Sequence, residues 1–148
     1  MIETRTAPVR KELHLAAPPE RAFEVFTEGI ATWWPLVLHS ISGERARDCV
    51  FEPGVGGRIF ERDEDGTEAD WGRVLVWDPP NRVVFSWHPN SERPAATEVE
   101  VRFTAAGDGT RFELEHRGWE RLGPEAAEAR AGYHTGWDPT LAAYAAVL

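Results

Sequence analysis

Cysteine is almost missing from this chain of 148 residues, and Cys49 stands alone. A single thiol excludes an internal disulfide and any cysteine-built metal cluster. Long apolar runs are also missing, since nothing approaches the roughly 20 residues of a membrane span. The first residues, MIETRTAPVRKEL, contain no apolar stretch of the kind that heads a secretory signal. A cytoplasmic protein is the default expectation. Positive charge is scarce: 16 basic residues face 25 acidic ones, a net charge of -9. That balance argues against nucleic acid or an anionic membrane as partner. Histidine pairs at metal-ligand spacing do not occur, so neither a metal site nor another cofactor is expected.

Aromatic residues, by contrast, are plentiful, with seven Trp and seven Phe. Rings in that number either fill a thick core or line a site for a flat apolar ligand. The longest periodic stretch is the last one, Pro124 to Leu148. There Ala126, Ala129, Tyr133, Trp137, Leu141, Tyr144 and Leu148 recur at three- and four-residue steps, one face of a helix. Pro139 lies inside it and predicts a kink, or a break capped by Asp138. With Gly132 and Gly136 upstream, the first half of this helix is expected to be looser than the second, a gate at a cavity mouth.

Ahead of the helix the chain reads as strands. Val9 to Leu15 alternates with Val9, Leu13 and Leu15 on one face. Pro18-Pro19 opens a short helix through Phe26, ended by Gly29, and a second short helical segment covers Ile30 to Trp34. Leu36 to Arg47 has weak periodicity and reads as irregular. Strands then follow at Cys49–Glu52, Gly57–Arg62, Trp71–Trp77, Arg82–His88, Thr97–Thr104 and Thr110–Arg117, parted by turn sequences such as Asp65-Gly66 and Gly107-Asp108-Gly109. Strands joined by short turns pair antiparallel, and a sheet with one polar face must bury the other. The expectation is one α+β domain over residues 1–148, its antiparallel sheet wrapped around the C-terminal helix.

Several motifs carry no chemistry. Gly54-Val55-Gly56-Gly57 opens a strand instead of a helix and lacks a following Lys-Ser/Thr, so it is no phosphate cradle. The acidic stretch Glu61 to Asp70 lacks the ligand pattern of a calcium loop and reads as a hairpin turn. Ser40, Ser42, Ser86 and Ser91 have no nucleophile-elbow context.

The order of elements and the residues at its joints resemble the START-like (SRPBCC, Bet v 1-like) helix-grip superfamily. Within it the resemblance is to the family of the activator of heat-shock protein 90 ATPase homologue. It rests on Pro18, Ala22, Phe23 and Phe26, then Trp33-Trp34, Glu52-Pro53-Gly54 with Gly56-Gly57-Arg58, and Gly72-Arg73-Val74 leading to Asp78-Pro79-Pro80. Val83-Val84-Phe85-Ser86-Trp87, Gly107-Asp108-Gly109-Thr110-Arg111, His116-Arg117-Gly118-Trp119 and Gly136-Trp137 complete it, over about residues 8 to 148. The resemblance implies a helix-grip fold and a role among small-ligand binders, polyketide or aromatic cyclases, and ligand-sequestering proteins.

Strand parity puts His116 with Phe112 and Leu114, sets Val83, Phe85 and Trp87 in a second inward row, and Val74 and Val76 in a third. With Trp34, Trp119, Tyr133 and Trp137 these residues would frame an aromatic cavity for a small apolar or aromatic molecule. A binding or carrier module is the first expectation. The second is a cyclase- or hydrolase-like enzyme with His116 as base and Tyr133 or His134 as donor. Against this, His116 would equally serve as a hydrogen-bonded histidine at a strand end, and the rings as plain core. The third expectation, which the resemblance suggests, is a co-chaperone-like protein-interaction role through an exposed patch at Leu75 and Trp77, which would serve equally as a homodimer contact.

Overall fold

A computed structural model describes residues 6–36, 38–88 and 97–148; Ser91 lies outside them. Seven strands form one antiparallel sheet: β1 (Val9–Leu15), β2 (Ala46–Phe51), β3 (Arg58–Asp63), β4 (Glu68–Asp78), β5 (Arg82–Trp87), β6 (Thr97–Ala106) and β7 (Gly109–Arg117). Their spatial order is β1-β7-β6-β5-β4-β3-β2. Each hairpin follows chain order, and the first strand closes on the last, with Val9 opposite His116 and Leu15 opposite Thr110. The sheet curls around a long C-terminal helix, as the helix-grip reading requires.

Between β1 and β2 stand helix α1 (Pro19–Phe26) and two 3-10 turns, Ile30–Thr32 and Gly43–Arg45. The expected second short helix is thus one tight turn, Ile30–Thr32. Pro19 sits in the first turn of α1, where a missing N–H costs nothing. Ala22, Phe23, Val25 and Phe26 form its buried face. The C-terminal helix α2 runs over Ala126–Ala146, after a 3-10 segment Trp119–Glu125.

Of the two outcomes expected at Pro139, a kink or a break, the break does not occur, and α2 is continuous through it. The proline costs the carbonyl of Thr135 its donor. Both residues face solvent, so water can take the lost bond, while buried Trp137, Thr140 and Leu141 hold the same stretch to the sheet. Asp138 caps nothing; its carboxylate pairs with Lys11 Nζ on β1 at 2.9 Å. The real discontinuity lies earlier, at Gly123, whose φ of 64° and ψ of -131° part the 3-10 segment from α2.

A β-bulge in β4 also corrects the strand reading. Val74 pairs with Phe85, Val76 with Val84 and Trp77 with Val83, so the register shifts at Leu75. Val74 and Val76 therefore do not share a row. Trp77 turns inward, 5.0 Å from the Phe23 ring. Of the expected Leu75–Trp77 patch only Leu75 faces water, 43% exposed.

The two faces of the sheet differ sharply. The inner face carries Val83, Phe85, Val99, Val101, Phe103, Phe112 and Leu114, all buried. The outer face is a charged lattice in which Glu100 accepts from Arg82 (2.8 Å), Arg102 (2.7 Å) and Arg117 (2.6 Å). These contacts hold the Glu100 carboxyl well down, to about 2, against the opposing cost of its burial. The acidic hairpin is likewise paired: Arg58 binds Asp70 at 2.7 Å, and Arg45 binds Asp65 at 2.8 Å.

Candidate functional site: a tryptophan-walled cleft

Between the sheet and the first half of α2 the core opens into a cavity of about 460 Å³. Trp34, Trp71, Trp87 and Trp137 form its aromatic walls. Trp34 follows the first 3-10 turn, Trp71 lies on β4, Trp87 ends β5 and Trp137 projects from α2. Their ring centroids lie 5.1 Å (Trp34–Trp71), 5.7 Å (Trp34–Trp87), 5.6 Å (Trp71–Trp87) and 6.2 Å (Trp34–Trp137) apart. Ala129, Gly132, Tyr133, Gly136 and Thr140 supply the helical side, one face at steps of three and four. Leu38, His39, Ser40 and Ile41 form the opposite rim, and Glu128 stands exposed beside it.

Each indole N–H of the four is tied to the protein. Trp34 donates to the His39 carbonyl (2.8 Å), Trp71 to Glu61 Oε1 (2.6 Å), Trp87 to the Tyr133 hydroxyl (3.0 Å) and Trp137 to His116 Nδ1 (3.1 Å). Glu61, fully buried, also accepts the backbone N–H groups of Ile41 (2.6 Å) and Ser42 (2.8 Å). One carboxylate thus fastens both a wall tryptophan and the rim segment.

The bonds around His116 determine its tautomer. Nδ1 accepts from Trp137, so the proton of the neutral ring sits on Nε2. Nε2–H then donates to Thr97 Oγ1 at 2.8 Å, and that hydroxyl donates to the Trp87 carbonyl at 3.0 Å. Burial pushes the His116 pKa down to about 3. The imidazole is completely buried against the Trp119 ring at 4.2 Å. Both its nitrogens are occupied by protein partners, and it lies behind the cavity wall.

Of the residues expected at the site, Trp34, Trp87, Tyr133 and Trp137 line the cavity. Phe85 lies deeper, its ring 5.3 Å from Phe51, and Trp119 is buried with its N–H on the His116 carbonyl at 2.9 Å. His134 is exposed and does not line the cavity. The structure therefore does not gather His116, Tyr133 and His134 about one point. The histidine that does line the cavity is His39, together with Trp71, Glu128 and, behind them, Glu61. His39 lies in an aperiodic segment that gave no signal. Glu61 did leave one, its inward parity with Ile59, which the surrounding acidic stretch obscured.

A curled antiparallel sheet gripping a C-terminal helix, with a cleft between them, defines a START-like domain, a ligand-binding class. The chain belongs to the family of activator of Hsp90 ATPase homolog 1-like proteins, whose model matches residues 16–148. No curated protein matches it. Among solved structures it is similar to the anthrahydroquino-gamma-pyrone synthase Txn09, with 40% identity over 95% of this chain and 96% of that one, and a TM-score of 0.65. Protein MLL2253 of Mesorhizobium loti shares the fold at 22% identity, covering 93% of each chain, with a TM-score of 0.68. So does the Aha1 dimer of Colwellia psychrerythraea, at 18% identity, over 95% of this chain and 94% of that one, with a TM-score of 0.67. Among the described residues no helix is long and apolar enough to cross a membrane.

Proposed function

We propose that this domain binds a flat polycyclic aromatic molecule in the tryptophan cleft. The observation that carries the reading is the cleft itself: four indole rings around about 460 Å³, with a phenol at one side. Large planar ligands gain both buried apolar area and offset stacking on such walls. The 40% likeness to a synthase named for a fused anthrahydroquinone product supports the same ligand class.

That likeness also favours a second reading, in which the cleft closes a ring. His39 and Tyr133 are then the groups that face substrate, because His116 has no free nitrogen. One experiment serves both. Tryptophan fluorescence is titrated with 1,8-dihydroxyanthraquinone, and saturable quenching near ~1 μM, about -8 kcal/mol, is expected. Trp137→Ala should abolish it while far-UV circular dichroism stays unchanged. No saturable quenching by the unaltered protein would overturn the binding reading. An o-hydroxyaryl 1,3-diketone is the second probe: its phenol oxygen adds to the far carbonyl and one water leaves, giving a γ-pyrone seen by absorbance. Turnover stopped by His39→Ala or Tyr133→Phe supports the enzyme, and binding without turnover leaves the carrier.

A further inference from the structure

The chemistry of the cavity wall restricts what the ligand can be, an inference that rests on the cleft being a binding site. The four indole N–H groups are all spent on protein acceptors: His39 O, Glu61, Tyr133 and His116. Thr140 spends its hydroxyl proton on the Gly136 carbonyl at 3.0 Å. Tyr133 differs. Its oxygen accepts the Trp87 N–H at 3.0 Å, so that lone pair is filled, and among the described residues its own proton has no acceptor. Burial raises the phenol pKa, which keeps that proton in place at neutral pH. The ring is further held between His116 (4.9 Å) and Trp119 (5.6 Å), so the hydroxyl cannot swing far. Among the described residues no arginine or lysine lines the cavity, and the carboxylate that does, Glu128, is exposed at the mouth.

We propose that the cleft selects electrically neutral planar ligands bearing a ring carbonyl, with Tyr133 donating its hydroxyl proton to that carbonyl oxygen. Tyr133 is thus a specificity-determining residue. The hydrogen-bonded set Trp137, His116, Thr97 and Trp87 positions the walls around it. Anionic analogues find no arginine or lysine among the described lining residues and meet Glu128 on entry.

The test compares anthracene, 9,10-anthraquinone, anthraquinone-2-carboxylate and the methyl ester of the latter, by fluorescence quenching. The unaltered protein should bind anthraquinone about tenfold more tightly than anthracene, the worth of one buried hydrogen bond. It should also prefer the ester to the carboxylate. Tyr133→Phe, which also frees the Trp87 N–H, should lower anthraquinone affinity about tenfold more than anthracene affinity, and His39→Ala should preserve the anthraquinone-to-anthracene ratio. Equal loss for both ligands in Tyr133→Phe would make the residue merely structural and overturn the proposal. So would a ratio that collapses in His39→Ala, which would move the donor to the rim. Binding of anthracene and anthraquinone with equal affinity would overturn it alone, whereas no binding of any probe would remove the cleft reading with it.

Discussion

Two ends of the same sheet–helix interface are built from different rings. At the closed end Phe26 meets Trp33, Phe103, Phe112 and Tyr144 at centroid distances of 5.3 to 6.1 Å, and Phe112 meets Tyr144 at 5.4 Å. Phenylalanine dominates there, and Tyr144 spends its hydroxyl on the Ala22 carbonyl at 2.6 Å. At the open end the rings are tryptophans, and each wall indole has a hydrogen bond to the protein. A phenyl ring enclosed on all sides is held by its neighbours alone, without a polar handle. A ring beside a void lacks contacts on one side, and a directional bond must fix it instead. Tryptophan is thus the residue that can wall a cavity without collapsing into it.

The largest expected effect sharpens this contrast. Phe26→Ala should cost about 3–5 kcal/mol in denaturant unfolding, because the closed end has no slack to fill the hole. Trp34→Ala, beside the cleft, should cost less than half of that. Equal costs would break the distinction.

A smaller effect comes from acid. The unfolded His116 titrates near its ordinary value of about 6.5, whereas the folded ring is held down to about 3. Its depressed folded pKa means that stability is fully present above about pH 6.5 and lost as pH falls from there toward 3. Lowering pH from 7 to 5 should therefore remove about 2 kcal/mol, before Glu100, held near 2, begins to titrate. In His116→Gln that slope should flatten. A slope unchanged by the substitution would mean that the wall network is not what acid dissolves.

The smallest effect has the opposite sign. A Cβ at Gly132 meets nothing within 4 Å, and the backbone there is helical. Gly132→Ala should raise stability by about 0.5–1 kcal/mol, seen as a higher melting temperature. Gly132→Leu should instead fill the cleft and end quenching by the anthraquinone probe. That pair would show the open end trading helix stability for room.

Most of the fold was legible because alternation and turn chemistry are local. All seven strands lie within a few residues of where Val9–Leu15 through Thr110–Arg117 predicted them. The misreadings came where tertiary context overrides local signal. Pro139 reads as a kink or a break, and the break is set aside once Trp137, Thr140 and Leu141 are seen anchored around it. Leu75 reads as one member of a strict alternation until the bulge turns Trp77 inward. At the site, parity placed His116 inside correctly but could not show that Trp137 and Thr97 occupy its two nitrogens. His39 and Trp71 reach the cleft through the rim loop and the paired strands, positions that no periodicity encodes.

The pairing of β1 with β7 has a consequence for how the chain is made. Leu15 and Thr110 are partners, so β1 leaves the ribosome some 95 residues before its neighbour exists (110 minus 15). At about 5–20 residues per second that is a wait of roughly 5–20 s. During it, Val9, Leu13 and Leu15 form an unpaired apolar edge. Arg10, Lys11 and Glu12 interrupt that edge with charge, the pattern that keeps a nascent strand from pairing with the wrong partner.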